Sequence, residues 1–359
     1  MTVATEIDAD ELRDAVRGLL ADVTIGTEIG PSEWQATLDA GWLALGVSAE
    51  RGGLGQSMLT VAMLLEEVGR RPCGMPLLEA TVAASMLDAA SRAGSRTAPE
   101  LLARTLAGEA GVVCAGMDAQ RLRVSDASAM VDIGSWPQAA RATHLLVPAT
   151  CDRRGEVLLI IPCMGDAVSI EALQGWDPTR CYGRVRIRGP FAAFESLTTE
   201  PAATSALLAH GRAVLDLAMS SDSLGGAAQL LDVTVGYLRQ REQFGRPIGS
   251  FQALKHRCAD LVTEIAAARA ALLRACRSHD ASEADAGLLA ALARASAGAV
   301  YGLVAEECIQ LHGGIGFTFE HVCHHYLRRA RAAETIGGTR AARLDAVAEA
   351  LLRELGTTL

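Results

Sequence analysis

Two short segments hold the residues best suited to chemistry. The first reads Arg239-Gln240-Arg241-Glu242-Gln243-Phe244-Gly245-Arg246-Pro247-Ile248-Gly249-Ser250-Phe251-Gln252, and the second Gln310-Leu311-His312-Gly313-Gly314-Ile315-Gly316. Arginine offers a bidentate fork to a pyrophosphate, a glutamine amide can read an adenine edge, and paired glycines let a backbone come close. Such residues suit an anionic, nucleotide-like ligand. Two helical patterns separate the segments, so they can meet in space although they are far apart in the chain.

Other clusters carry less. His321-Val322-Cys323-His324-His325 has the composition of a metal tract, and Cys308 and His312 lie four apart. The three histidines of the tract fall on an expected helix, and no second ligand pair follows at zinc spacing, so packing or surface roles are expected and no metal is. His256, Asp260 and Glu264 form a polar stripe on the helix after Gln252, as a solvated or interface face does. Neither a G-x-S-x-G elbow nor a phosphate loop is present, and Arg51-Gly52-Gly53-Leu54-Gly55-Gln56 reads as a helix–helix connection.

The elements that must position these residues fall into three blocks. Residues 1–109 are helical in pattern: Val61, Leu64, Leu65 and Val68 recur on one face, Gly69 is placed to end that helix, and Gly108 to end the last one. Residues 110–198 change period, with short apolar runs Val112–Cys114, Leu145–Val147 and Val157–Ile161 and a strict alternation in Arg184-Val185-Arg186-Ile187-Arg188. This predicts a small barrel- or sandwich-like β-domain without crossover helices. Residues 199–359 return to long helices, over Leu207–Arg239, Phe251–His279, Ala281–Leu311 and Arg340–Leu355, which predict a four-helix bundle. Gly225-Gly226-Ala227-Ala228 lets one of them approach its neighbour closely.

The bulk composition limits partners. The chain has 359 residues and a net charge of −9, and it lacks a basic block that could release phosphate counterions, which excludes nucleic acid as the main ligand. Nine dispersed cysteines without a C-x-x-C predict reduced thiols in a cytoplasmic protein. The N-terminus has no apolar h-region, and no apolar run is expected to span a bilayer.

The order of blocks and the two motifs resemble the acyl-CoA dehydrogenase family. Arg241-Glu242-Gln243-Phe244-Gly245 with Phe251-Gln252, and Gln310 through Gly316, carry most of the likeness, supported by Gly41-Trp42, Gly52-Gly53-Leu54-Gly55 and the closing Gly338-Thr339. The resemblance implies FAD, hydride transfer from the β-carbon of an acyl-CoA thioester, and a carboxylate that removes the α-proton. It also implies dimers or pairs of dimers with each FAD at a subunit interface. Carried over, Arg241, Gln243 and Phe244 serve the pyrophosphate and adenosine, with Gln252 nearby. Gln310, Gly313 and Gly314 hold the adenine side, and Thr339 joins the cofactor-binding set.

The sequence departs from the family at the reactive end. Gly337 stands where many members have a glutamate base, and Leu215 where others place it; Asp216 and Glu334 are the nearest carboxylates. In the β-domain, Cys114-Ala115-Gly116-Met117-Asp118-Ala119-Gln120 replaces the usual flavin-holding segment and no Trp-x-Thr follows, while Trp176-Asp177-Pro178-Thr179-Arg180 fits the family as a turn. The adenosine anchors are kept and the ring site and base are not. The expectation is a subunit of a heteromeric dehydrogenase that completes a partner's FAD site. The alternatives are a self-sufficient homomer with its base at Asp216 or Glu334, and a flavin-free structural subunit.

Overall fold

In the computed structural model, residues 7–117, 122–124, 129–151, 155–189, 194–198, 200–354 and 356 are described. Five helices come first: α1 (Ala9–Leu20), α2 (Pro31–Asp39), α3 (Met58–Gly69), α4 (Leu77–Arg92) and α5 (Ala98–Leu106). The apolar face read from α3 is buried as its spacing requires. α3 ends at Gly69 as expected, but not through a left-handed turn; a side chain there would overlap the Asp222 carbonyl oxygen, so glycine is needed for contact with the last helical block.

The middle block holds β1 (Val112–Cys114), β2 (Leu122–Val124), β3 (Ala129–Trp136), β4 (His144–Cys151), β5 (Gly155–Pro162), β6 (Val168–Leu173), β7 (Tyr182–Gly189) and β8 (Glu195–Ser196). One sheet runs β1-β4-β5-β8, with β2 also on β4, and the other runs β3-β7-β6. Of the barrel- or sandwich-like forms expected, the described residues show two sheets that enclose a core of their own, as a sandwich does. Leu145, Val147, Leu159 and Ile161 face that core, whereas Leu146, Leu158 and Ile160 face the helices and join the main core. A sheet covered on both faces explains why its strands read as unbroken apolar runs. In β7, by contrast, Val185 and Ile187 turn inward and the arginines outward.

The last block holds α6 (Pro201–Gln240), a hairpin of β9 (Glu242–Gln243) and β10 (Arg246–Pro247), α7 (Gln252–Asp280), α8 (Ala286–His312), α9 (Cys323–Ala333) and α10 (Arg340–Glu354). α6, α7 and α8 pack on one another, α10 lies on α8, and α9 lies on α8 and α6. The third helix starts five residues later than expected, after a turn in which Ser282 takes φ 53°. By length and hydropathy α8 could cross a bilayer, contrary to the sequence expectation, but most of its apolar window is covered inside the protein.

Glycines set the closest helix crossing. A Cβ at Gly225 would overlap the Glu66 carbonyl oxygen of α3, and one at Gly226 would lie 2.5 Å from the Tyr301 hydroxyl of α8. A buried ionic cluster then ties the three blocks together. The Asp222 carboxylate of α6 accepts from Arg329 of α9, at 2.5 Å and 3.1 Å, and from Arg180 of the β6–β7 turn at 3.3 Å. Arg180 also pairs with Glu79 of α4, and Arg329 donates to the Thr179 hydroxyl at 2.8 Å.

Candidate functional site

The two motifs meet at one end of the bundle. The Tyr237 ring of α6 stacks on His312 of α8 at 4.5 Å, and its hydroxyl donates to the His312 carbonyl at 3.3 Å. This contact places Arg241, just past the end of α6, at the same end as Gln310 and the Gly313–Phe317 turn. The hairpin between α6 and α7 pairs Gln243 with Arg246. Phe244 (φ 55°) and Gly245 (φ 76°) form its tip. Two successive positive φ values suit a two-residue hairpin, and they are costly for an aromatic residue. That conformation turns the Phe244 ring outward, 91% exposed. Arg246 stacks over Phe251 at 4.2 Å, which fixes the hairpin base.

The polar groups of this end face outward. Arg241, Gln252 and Gln310 are exposed, and among the described residues their side chains have no partner within the chain. Gln243 donates only to the neighbouring Glu242 carbonyl, at 2.7 Å. Gly313 takes φ 64°, and a Cβ on Gly313 or Gly314 would meet open space, so their backbone lies open to a ligand. One guanidinium, three carboxamides and an open glycine turn make a donor-rich surface for an anion and a heterocycle. Thr339 does not join them. Its hydroxyl caps α10, accepting from the Ala342 amide at 3.2 Å.

Further back along α6, well inside the helix, the surroundings are apolar. Leu215 and Gly337, the two positions where a base was sought, face each other: a Cβ on Gly337 would lie 2.8 Å from Leu215 Cδ2. The cavity that Leu215 lines with Val113, Trp136 and Ile336 holds only about 20 Å³. That is no more than the space of one water. Glu79 is the one carboxylate among its lining residues, and it is bound to Arg180. Burial pushes the Glu79 carboxyl above its usual value although Arg180 opposes the shift. A larger cleft of about 410 Å³, lined by Trp34, Leu43, Val112 and Gln138 among others, opens between the first helices and the sandwich and reaches the same Glu79 and Val113.

Asp216 and Glu334 look elsewhere. Asp216 is one residue beyond Leu215, hence turned by about 100°. Its carboxylate accepts from Arg343 at 3.1 Å and lies 4.0 Å from Arg294. Burial pushes this carboxyl up against the pull of both arginines. Arg343 in turn donates to the carbonyls of Ile336 and Gly338, at 2.9 Å and 2.5 Å, so Asp216 braces the Gly337 turn from behind. Glu334 pairs with Arg331 at 2.6 Å and is partly exposed.

Several site-shaping residues escaped the sequence reading. The Trp176-Asp177-Pro178-Thr179-Arg180 turn forms as read, and its Asp177, Thr179 and Arg180 are also buried parts of the ionic cluster. Trp136-Pro137-Gln138 closes β3, so Gln138 follows the tryptophan where a threonine was sought. Residues 118–120 of the altered flavin segment lie outside the described residues. His321 precedes α9 and is not on the expected helix.

The match to known proteins agrees with this architecture. The acyl-CoA dehydrogenase N-terminal domain matches residues 7–120 and the C-terminal domain residues 201–352. The chain is 32% identical to acyl-CoA dehydrogenase IpdE2 of Mycobacterium tuberculosis (strain ATCC 25618 / H37Rv), over 82% of this chain and 78% of that protein. Among solved structures, a variant of the Tcur3481-Tcur3483 steroid ACAD superposes with a TM-score of 0.84 at 25% identity, covering 97% of this chain and 99% of that one. The ChsE4-ChsE5 complex from Mycobacterium tuberculosis gives 0.83 at 23% identity, with both chains fully covered, and so shares the fold. The chain belongs to the acyl-CoA dehydrogenase family, an oxidoreductase family whose members bind FAD.

Proposed function

We propose that this chain is one subunit of a heteromeric, FAD-dependent acyl-CoA dehydrogenase, lending an adenosine-diphosphate grip to a flavin whose ring and catalytic base belong to a partner chain. The observation that carries the proposal is the apolar meeting of Leu215 with Gly337 beside a cavity of about 20 Å³. α,β-Desaturation needs a carboxylate at the substrate α-carbon, and FAD supplies the acceptor for the β-hydride. Neither of these two positions carries a base. The adenosine end fits FAD well. Arg241 would clamp the pyrophosphate, Gln243 and Gln310 would meet the adenine edge, and the Gly313-Gly314 backbone would approach it closely.

Geometry separates the two ends. Leu215 and Tyr237 stand about 33 Å apart along α6 at ~1.5 Å rise per residue. The grip therefore serves a flavin other than one beside Leu215, as an interfacial cofactor requires. The names of the Tcur3481-Tcur3483 steroid ACAD and the ChsE4-ChsE5 complex support a two-chain assembly, and the former supports a bulky, steroid-like acyl thioester as substrate. A self-sufficient homomer would need Asp216 or Glu334 to reach the substrate, and both are engaged with arginines.

The test is to purify the chain alone and with a co-expressed dehydrogenase-like partner. We expect little FAD on the lone chain and one FAD per two chains in the complex, with Arg241→Ala in the complex weakening FAD retention. Stoichiometric FAD and acyl-CoA oxidation by the lone chain would overturn the proposal. Unchanged FAD retention in the Arg241→Ala complex would leave the chain a structural subunit.

A further inference from the structure

We infer that His312, His321 and Cys323 form a binding site for one zinc-like transition-metal ion, independent of the flavin reading. One ligand atom from each residue lies within 4.8 Å of the other two. His312 ends α8 and Cys323 begins α9, so the fold brings together residues that the sequence holds eleven positions apart.

The protonation pattern of His312 is the first argument. Its Nδ1 lies 2.8 Å from the Cys308 carbonyl, which can only accept, so Nδ1 carries the hydrogen. The lone pair therefore sits on Nε2. That atom is buried on a side chain 3% exposed and has no partner among the described residues. An orphaned acceptor in a packed interior is a standing cost, and a cation removes it. A histidine whose second nitrogen donates to a backbone carbonyl is also how metal-bound imidazoles are commonly oriented.

The thiol is the second argument. Cys323 is fully buried, with Sγ 3.1 Å from His321 Nδ1 and 3.5 Å from His312 Nδ1. The Cys323 amide donates to His321 Nδ1 at 3.4 Å, so this nitrogen is an acceptor, and an ion would take its lone pair from that long bond. With Zn–S near ~2.3 Å and Zn–N near ~2.0 Å, a tetrahedral site needs S···N edges of roughly 3.5 Å and N···N edges of roughly 3.3 Å. Of these edges, the Sγ···His321 Nδ1 distance of 3.1 Å lies close to the requirement, and the three ligand atoms fall within 4.8 Å of one another; the 3.5 Å contact is to the protonated His312 Nδ1 and is not one of them. Two imidazoles and a thiolate select zinc or a similar soft ion over magnesium or calcium, and three protein ligands leave a fourth position open. Metal binding releases the thiol proton to solvent, with no change of oxidation state.

Such an ion would pin the segment following α8 to the start of α9. That segment carries Gly313 and Gly314, so the ion would stiffen a turn the chain otherwise holds by Tyr237 stacking and local hydrogen bonds. The competing arrangement is a plain S–H···N hydrogen bond from Cys323 to His321 with no metal.

The test uses the full-length protein, with any copurifying partner, stripped by chelator and titrated with Co²⁺. We expect saturation at one equivalent with a thiolate-to-cobalt charge-transfer band that Zn²⁺ displaces. Cys323→Ser should abolish the band, and His321→Gln should weaken binding at least tenfold, while Cys258→Ser on α7 leaves both unchanged. Circular dichroism identifies any variant that fails to fold, and the wild-type titration decides by itself in that case. Absence of a saturable band in the wild type, or its persistence in folded Cys323→Ser, overturns the site.

Discussion

Replacing Asp222 by Asn tests whether the buried ionic cluster holds the three blocks together. Asp222 is 2% exposed, and its carboxylate faces the guanidinium groups of Arg329 and Arg180, both buried. Arg180 keeps Glu79 and Asp177 in the variant, so the loss falls mainly on Arg329, whose other side-chain hydrogen bond among the described residues is to the Thr179 hydroxyl. Removing one partner of a buried pair costs about 3–5 kcal/mol because a desolvated charge is left behind. Against a typical total of about 5–15 kcal/mol, that is a large fraction of the stability. Burial alone would raise the Asp222 carboxyl, but Arg329 and Arg180 outweigh it and hold it below its usual value. A depressed carboxylate contributes stability above its unfolded pKa of about 3.9 and loses it only as pH falls lower. The deficit of the variant should therefore be constant between about pH 5 and 8. Urea unfolding of the wild type, Asp222→Asn, Arg329→Met and the double variant measures it. The double variant should be less damaged than the sum of the singles, since it leaves neither charge unpaired. A single-variant loss under about 1 kcal/mol, or strict additivity, would refute the idea that this pair is the lock.

Burial, with some help from His279, pushes His210 down to about 4, so the unfolded chain takes up a proton between about pH 6.5 and 4 that the folded chain refuses. Stability should fall by about 3 kcal/mol as pH drops through that window. His210→Gln should flatten the dependence of the urea midpoint on pH, leaving a residual slope from His325, also near 4. Gly225→Ala should destabilise by about 1–3 kcal/mol by prising α3 from α6, whereas Gly236→Ala, where a Cβ meets nothing within 4 Å, should be neutral or stabilising in thermal melts. Asp216→Asn in the assembled complex should lower stability by freeing Arg343 and Arg294 but change kcat by no more than about threefold; a loss of about 10²–10⁴ would restore it as the base.

What was legible in the sequence was local or periodic. The α3 face and the alternation in β7 follow from side-chain direction alone, and a long helix acts as a ruler, so counting back from Arg241 reached Leu215. That count gains its meaning only in three dimensions, where Leu215 and Gly337, far apart in the chain, close on the same small cavity. β3 and β6 were missed because neither contains an apolar run: β3 breaks register at Asp132 and Gly134, and β6 is largely exposed. The ionic cluster was missed for a different reason. Glu79, Arg180, Asp222 and Arg329 are single charges on separate elements, and a lone charge in an apolar helix names no partner. The same holds for the His312, His321 and Cys323 cluster, since treating His321 as helical gave it the wrong direction. The residues proposed to grip the nucleotide are readable because each set is local in the chain, while the surroundings of Leu215 depend on contacts among distant segments. In this chain those distant contacts bring together leucine, glycine and isoleucine at the two positions where the resemblance places a carboxylate, and that pairing shows only in three dimensions.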